Sequence, residues 1–342
     1  MIRVGLIGFG LAGRYFHAPL ITAAGMDLCA VVTSRTQEVR DAFPNVSVVD
    51  GVKDFLMRHD IDLIVVASPS QFHFEHAREA LSAGKHVVID KPLSTSPTEA
   101  NALIELAEQK RRKLSVFQNR RWDGDFLTIR QLLEEQRLGK IAYFRARWDR
   151  FRPEIADRWR ERAQPGSGML FDLGSHLIDQ ALVLFGWPDW VQADVFGQRE
   201  GSMTDDGFEI LMGKGSMRIS LGVSSLAAAG DWRYCIHGTR GSFFKAGLDP
   251  QEDQARAGLS ARDERFGVEA EERFGKLING VNNDVQIIPT ERGSWLTYYE
   301  RMKQAIEEDA AVPVLAEEAR TVLQVIEAAR RSSSEGRRIL LT

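Results

Sequence analysis

The sequence predicts an α/β protein in two parts, and three observations carry that prediction. Short apolar runs alternate with helical segments through the first third of the chain. After about residue 118 the grammar changes to strands of alternating polarity separated by Gly- and Asp-containing turns. A glycine pattern stands between the first apolar run and the first helix. The expected division is 1–118 and 119–342.

In the first part, Ile2–Ile7, Leu28–Thr33, Leu63–Ala67, Val87–Ile89 and Leu114–Phe117 read as strands. Between them Leu11–Ala24, Lys53–His59, Phe72–Ala83 and Pro97–Lys113 read as helices. Near-continuous apolar strands imply burial on both faces, hence a parallel sheet under two helix layers. Gly84 suits a helix C′ position, and Ser96-Pro97 with Glu99 suits a helix start. In the second part Ile141–Trp148, Val191–Gln198, Phe208–Met212, Met217–Gly222, Arg233–His237 and Ser242–Ala246 are expected strands, with Met169–Phe185 a helix. Alternation in several of them leaves one sheet face open or covered by a partner, so an open, mainly antiparallel sheet is expected. Residues 249–284 read as an irregular excursion, and helices close the chain at 295–309 and 314–333.

Composition sets bounds on function. The chain has 342 residues, a net charge of −4 and 27% charged residues, an ordinary globular balance that gives no reason to expect nucleic acid or membrane as partner. The two cysteines, Cys29 and Cys235, are far apart and form no C-x-x-C, which argues against a disulfide framework or zinc knuckle. The opening MIRVGLIGFG reads as a strand rather than a signal peptide, and no run reaches the length of a membrane helix, so a reduced, cytoplasmic setting is the default.

Gly8-Phe9-Gly10-Leu11-Ala12-Gly13 is G-x-G-x-x-G between a strand and a helix. Its first glycine permits the tight turn, its second admits a pyrophosphate, and its third lets helix pack on strand. This is the signature of a Rossmann domain that binds a dinucleotide. An acid at the end of the second strand would accept from the 2′-hydroxyl of NAD(H), but the residues there are Thr33-Ser34-Arg35. Hydroxyls and a guanidinium suit a 2′-phosphate, so NADP(H) is the expected cofactor.

Lys91 follows the strand Val87–Ile89, at the carboxyl edge where open α/β sheets bind ligands. Asp90 lies beside it, and Pro92 ends the strand and could impose a cis bond. Asp172 and His176 stand four apart in an otherwise apolar helix, hence on one face. The spacing alone fits two readings equally: a carboxylate satisfying a core histidine, or a histidine poised to move a proton. His73 and His76 in QFHFEH lack the companions a metal needs, so no metal is expected. Residues 111–162 hold fifteen Lys/Arg against eight Asp/Glu with Trp122, Trp148 and Trp159 interleaved. The interspersed acids favour a lining for a polyol and a phosphate-bearing cofactor over a nucleic-acid surface.

With GFGLAG, Asp90-Lys91-Pro92 and GSGMLFDLGSHLIDQALVLFG in these positions, the chain resembles the glucose–fructose oxidoreductase / inositol dehydrogenase / MocA family over nearly its whole length. FHAPLI (16–21), QNRRWD (118–123), WDRFRP (148–153) and LDPQE (248–252) are most similar to the NADP-dependent scyllo-inositol dehydrogenase branch. The resemblance implies a Rossmann domain followed by an α/β domain whose open sheet mediates assembly into a homodimer or homotetramer. It implies hydride transfer between a cyclitol or sugar alcohol and nicotinamide, with Lys91 and His176 meeting at the reacting carbon and Asp172 orienting the histidine or a substrate hydroxyl. Gly8, Phe9, Gly10, Leu11, Gly13, Ser34, Arg35, Ser68, His73, Asp90 and Lys91 are then candidate cofactor contacts, with His73 near the nicotinamide. Asn119, Arg121, Asp149 and Arg152 are candidate substrate contacts, and Trp159-Arg160 borders the cofactor. Two departures stand out: Asp90 replaces the family's usual Glu, and Ser68-Pro69-Ser70 replaces Thr-Pro-Asn. A reductase of another sugar-derived carbonyl and a non-catalytic NADP-binding sensor are the alternatives; the latter has no need of Lys91, Asp172 and His176 together.

Overall fold

The computed structural model describes residues 1–230 and 232–341. They form two compact units. The first comprises Met1–Asn119, Gln251–Phe266 and Ser294–Thr321; the second comprises Arg120–Pro250, Gly267–Gly293 and Val322–Thr342. The first unit thus takes in two segments from late in the chain besides its N-terminal stretch. Apolar fit explains part of this return. Trp295, Tyr298 and Tyr299 are fully buried, with Trp295 edge-on to Phe16 at 5.1 Å and Tyr298 edge-on to Phe117 at 4.9 Å.

In chain order the first unit begins β1 (Arg3–Ile7), α1 (Ala18–Ala23), β2 (Asp27–Val32), α2 (Thr36–Ala42), β3 (Ser47–Val49) and α3 (Val52–Leu56). It continues β4 (Leu63–Val66), α4 (His73–Ser82), β5 (His86–Asp90), α5 (Pro97–Lys110) and β6 (Leu114–Phe117). The strands make one parallel sheet in the order β3-β2-β1-β4-β5-β6. β4 and the apolar interior of β5 are wholly buried, as a sheet covered on both faces requires. Strand β3 was not expected; with three residues and partial exposure it carries too little apolar signal. α5 starts as its sequence suggests: Ser96 Oγ accepts from Glu99 N at 3.2 Å, and the Glu99 carboxylate accepts from Thr95 N at 3.0 Å. Gly84 closes α4 with φ +75°.

The chain goes on with α6 (Gly124–Glu134), β7 (Ile141–Arg147), α7 (Ser175–Phe185), β8 (Trp190–Phe196), β9 (Gly207–Lys214), β10 (Met217–Ser224), β11 (Tyr234–Gly238) and β12 (Gly241–Lys245). After these come α8 (Gln251–Arg256), β13 (Gly275–Asn279), β14 (Val285–Ile288), α9 (Leu296–Glu307), α10 (Ala316–Glu335) and β15 (Ile339–Leu340). The second unit's nine strands run β14-β13-β12-β11-β7-β10-β9-β8-β15. All pairs are antiparallel except β10 with β7. Phe144 and Ala146 of β7 are buried on the α7 side, where Phe144 meets Phe185 at 5.1 Å. The intervening Tyr143, Arg145 and Arg147 take the other face. Residues 249–284 are more regular than expected, containing α8 and β13.

Two helical stretches depart from α geometry. Gly13–His17 ahead of α1 and Leu170–Gly174 ahead of α7 are π-helical. Such turns widen the helix by a residue and recur at functional sites. Among the described residues no helix is long and apolar enough to cross a membrane.

Candidate active site

The glycine turn fits the role its spacing suggests. Gly8 has φ +98°, open to glycine at little cost, and donates to Val32 O at 2.9 Å. A Cβ on Gly13 would run into the Gly8 carbonyl, so close packing of helix on strand demands glycine there. A Cβ on Gly10 would meet nothing within 4 Å. That open space, beside the start of a helix, is where a pyrophosphate fits. Phe9 is buried against Phe43, whereas Leu11 is exposed.

At the end of β2, Arg35 N donates to Thr33 Oγ1 at 3.0 Å and begins α2. Its guanidinium lies 3.3 Å from Glu38 Oε1, while Arg14, from the π-helical turn, holds Glu38 Oε2 at 2.6 Å. Two guanidiniums thus gather at one carboxylate at the edge of the domain. Arg14 and Glu38 escaped the sequence reading because only the fold brings them beside Arg35.

Asp90 ends β5 and Lys91 follows in a cis bond to Pro92. The Asp90 carboxylate accepts from Lys91 N at 2.9 Å. Behind it lies His17, wholly buried, with Nε2 at 3.8 Å from Asp90 Oδ1 and Nδ1 at 2.6 Å from Tyr299 Oη. The first of these distances is that of an ion pair and is too long for a hydrogen bond. Burial alone would raise the Asp90 carboxyl, but His17, Lys91 and His73 together hold it below the usual range. His73, 1% exposed, has Nδ1 at 2.7 Å from Pro92 O and Nε2 at 2.8 Å from Ser68 O. Both ring nitrogens of His73 thus lie against backbone carbonyls at the ends of β4 and β5. Ser68 Oγ lies 3.0 Å from His76 Nδ1. Among the described residues no three His, Cys, Asp or Glu side chains gather as a metal site.

In the second unit Asp172 lies in the π-helical stretch and His176 in the first turn of α7. The wider π turn changes the relation that a regular α-helix would give residues four apart. Asp172 Oδ1 forms an ion pair with Arg160 Nε at 3.3 Å. His176 is 6% exposed and stacks on Trp148, with centroids 5.9 Å apart. Trp148 also receives the guanidiniums of Arg120, Arg150 and Arg233 at 4.8, 5.6 and 4.8 Å from its ring. The helix start is fixed by Asp205, whose carboxylate accepts from Leu170 N at 2.7 Å; burial raises that carboxyl.

Two residues expected to bind substrate have ionic partners within the second unit. Arg121 forks onto Asp179 at 2.8 and 2.7 Å, anchoring α7 one turn past His176. Asp149 takes Arg147 at 2.8 and 3.2 Å and also accepts from Ser224 N at 2.9 Å. Both contacts are two-pronged, which fixes the direction of each guanidinium. Asn119 is buried, and Arg152 is exposed, on a loop held by Arg199. Arg199 donates to the Arg152 and Glu154 carbonyls at 3.3 and 2.9 Å and pairs with Asp206 and Glu161 at 2.7 and 3.2 Å. Trp159 and Arg160 occupy the same loop, with the Arg160 guanidinium 4.5 Å from the Trp159 ring centroid.

A parallel sheet of this order, with a glycine turn open at its second glycine, defines a dinucleotide-binding oxidoreductase of the Rossmann class. Residues 2–118 match the model of the oxidoreductase family's NAD-binding Rossmann fold, and residues 130–341 match its C-terminal alpha/beta domain. The chain belongs to this family, that of glucose–fructose oxidoreductase, inositol dehydrogenase and MocA. It is 43% identical over 343 residues to the scyllo-inositol 2-dehydrogenase (NADP(+)) IolW of Bacillus subtilis, covering 99% of this chain and 96% of that one. It is 42% identical over 327 residues to the oxidoreductase YdgJ of Escherichia coli, covering 95% and 94%. The solved structure of the oxidoreductase yvaA from Bacillus subtilis superposes with a TM-score of 0.97 at 42% identity, covering 100% of this chain and 98% of that one.

Proposed function

We propose that this enzyme is an NADP(H)-dependent dehydrogenase that moves hydride between a secondary alcohol of a cyclitol or sugar, of the scyllo- or myo-inositol kind, and nicotinamide. The observation that carries this reading is the presence of Lys91, Asp172 and His176 in a chain related end to end to a dehydrogenase of that class. Arg14 and Arg35 gathered at the end of β2 support the 2′-phosphorylated cofactor. The glycine turn and the α-helix beyond it would hold the pyrophosphate, and Arg35 and Arg14 the 2′-phosphate. NADP⁺, when bound, supplies the hydride acceptor.

The remaining work falls to the protein. As hydride leaves carbon, the C–O bond becomes a carbonyl and the hydroxyl proton must be removed, so the alkoxide character of the oxygen needs a hydrogen-bond donor and its proton needs an acceptor. Lys91, held at the carboxyl end of β5, donates a charge-assisted hydrogen bond to that oxygen. His176 accepts the hydroxyl proton. Asp172, itself paired with Arg160, orients His176 or a neighbouring substrate hydroxyl. In the reductive direction the same groups return the proton. We further assign the open face of the nine-stranded sheet to contact with a second copy of the chain, in a homodimer or homotetramer, and place the enzyme in the cytoplasm.

The test is a panel of inositols, glucose, xylose and related ketoses run with both nicotinamide cofactors and followed at the nicotinamide absorbance. Turnover of a cyclitol or sugar with NADP(H) preferred is expected. Preference for NAD(H), or inactivity across the panel, would overturn the reading.

A further inference from the structure

We propose that His73 is a fixed imidazolium that bolts the carboxyl ends of β4 and β5 together and so positions Lys91. The inference rests on the reading of Lys91 as the group that meets the substrate oxygen, and it adds a positioning residue to that site.

A backbone carbonyl accepts and never donates. A neutral imidazole carries one N–H and one bare lone pair. His73 has a carbonyl at each nitrogen, Pro92 O at 2.7 Å and Ser68 O at 2.8 Å, and both are ordinary hydrogen-bond lengths. In either neutral tautomer one ring lone pair would face a carbonyl lone pair at that distance, in a site 1% exposed where water cannot intervene. Only the doubly protonated ring satisfies both contacts.

Two effects oppose the charge. His73 is the first residue of α4, and the positive end of a helix dipole disfavours a cation. Burial also removes the solvation of the ring. Against these stand two charge-assisted hydrogen bonds, each roughly twice as strong as a neutral one, and the nearby carboxylate of Asp90. The Asp90 carboxyl is held below its usual range despite burial, with His17, Lys91 and His73 lowering it. On α4 itself, burial and then the charge on His73 push the His76 imidazole down, with Glu75 and Glu79 acting the other way.

The geometry states what the clamp is for. Ser68 lies two residues beyond β4, and Pro92 is the residue after Lys91. His73 therefore holds the backbone on the far side of Lys91, while the Asp90 carboxylate holds the Lys91 N–H on the near side at 2.9 Å. The root of the lysine is pinned both before and after its Cα.

The test uses the full-length protein with histidine labelled by ¹⁵N at both ring nitrogens. The His73 signals are identified by their absence in His73→Asn. At pH 8, well above the ordinary histidine value of about 6.5, both His73 nitrogens should remain protonated; one protonated and one bare nitrogen would overturn the proposal. In the His73→Asn enzyme kcat should fall at least tenfold, with the dissociation constant of NADPH within threefold of the wild type. A lower melting temperature with unchanged kcat would instead show a merely structural role and overturn the positioning claim. Should His73→Asn fail to fold, His73→Gln serves for both the assignment and the kinetics, and the other six histidines replaced one at a time assign the remaining signals and so leave those of His73. Full turnover by Lys91→Ala would sink the proposed function whatever His73 carries; an inactive Lys91→Ala with a neutral His73 would sink only the clamp.

Discussion

Glu38 Oε2 and Arg14 Nη1 lie 2.6 Å apart, and the other carboxylate oxygen of Glu38 reaches Arg35 at 3.3 Å. A carboxylate so placed occupies the position between two guanidiniums that a 2′-phosphate would take. Exposed pairs of this kind contribute little to stability, about 0–1 kcal/mol, so displacing Glu38 costs little and its charge matters more to the ligand than to the fold. Arg14→Ala and Arg35→Ala are each expected to weaken NADPH binding about ten- to a hundredfold, the worth of a charge-assisted contact, with NADH nearly unaffected. Arg35→Asp should move the preference toward NADH. Glu38→Gln, by removing a like charge, should tighten NADPH about three- to tenfold. Dissociation constants from nicotinamide fluorescence check all four; equal losses for both cofactors would show that the two arginines do not read the 2′-phosphate.

The glycine turn offers a contrast between two neighbouring substitutions. Gly10→Ala places its methyl in open space, so the melting temperature should hold while dinucleotide binding falls steeply. Gly13→Ala drives a methyl onto the Gly8 carbonyl and should cost about 1–3 kcal/mol of stability. Thermal melts beside cofactor titrations separate the two; a destabilised Gly10→Ala would mean that its space is needed by the fold itself.

Hydride transfer should depend on Lys91 and His176 under the proposed mechanism. Lys91→Ala and His176→Ala are each expected to lower kcat about 10²–10⁴-fold, with cofactor affinity within a few-fold of wild type. Arg160→Ala removes the partner of Asp172 and should reduce kcat about tenfold. Steady-state kinetics with matched binding data test this. Wild-type turnover in Lys91→Ala and His176→Ala would remove the mechanism.

His86 supplies a pH dependence that is independent of catalysis. Its Nδ1 accepts from Lys113 N at 2.9 Å, and burial, then Arg112 and Lys113, push its pKa down to about 4. The unfolded chain protonates this ring near pH 6.5, but the folded protein resists until about 4. Stability is therefore complete above about 6.5, falls as pH drops through that window, and levels off beneath it. For a group that solvent still reaches, about 1–2 kcal/mol is expected after screening. Denaturant titrations between pH 8 and 4 should show a shallower decline in His86→Gln; identical slopes would contradict it.

Much of this protein is determined by local chemistry that a sequence displays. Continuous apolar runs marked the buried parallel strands, and alternation marked the open sheet, because burial on two faces or one dictates polarity. Gly8 and Gly13 announced a tight turn because a positive φ and a facing carbonyl leave no room for a side chain, and Gly10 marked the open space that a pyrophosphate needs. Lys91, Asp172 and His176 stood out as polar residues where apolar ones were due.

Tertiary structure decided what depends on distance through space. Arg121 finds its carboxylate partner in Asp179, 58 residues away, and Asp149 also takes Ser224 N, 75 residues away. Glu38 beside Arg14, and Tyr299 beside His17, are 24 and 282 residues apart in the chain. The return of 251–266 and 294–321 to the first unit has the same character. A carboxylate, a guanidinium or an aromatic face carries no local mark of its partner. Packing and charge neutralisation select that partner only once the chain has folded.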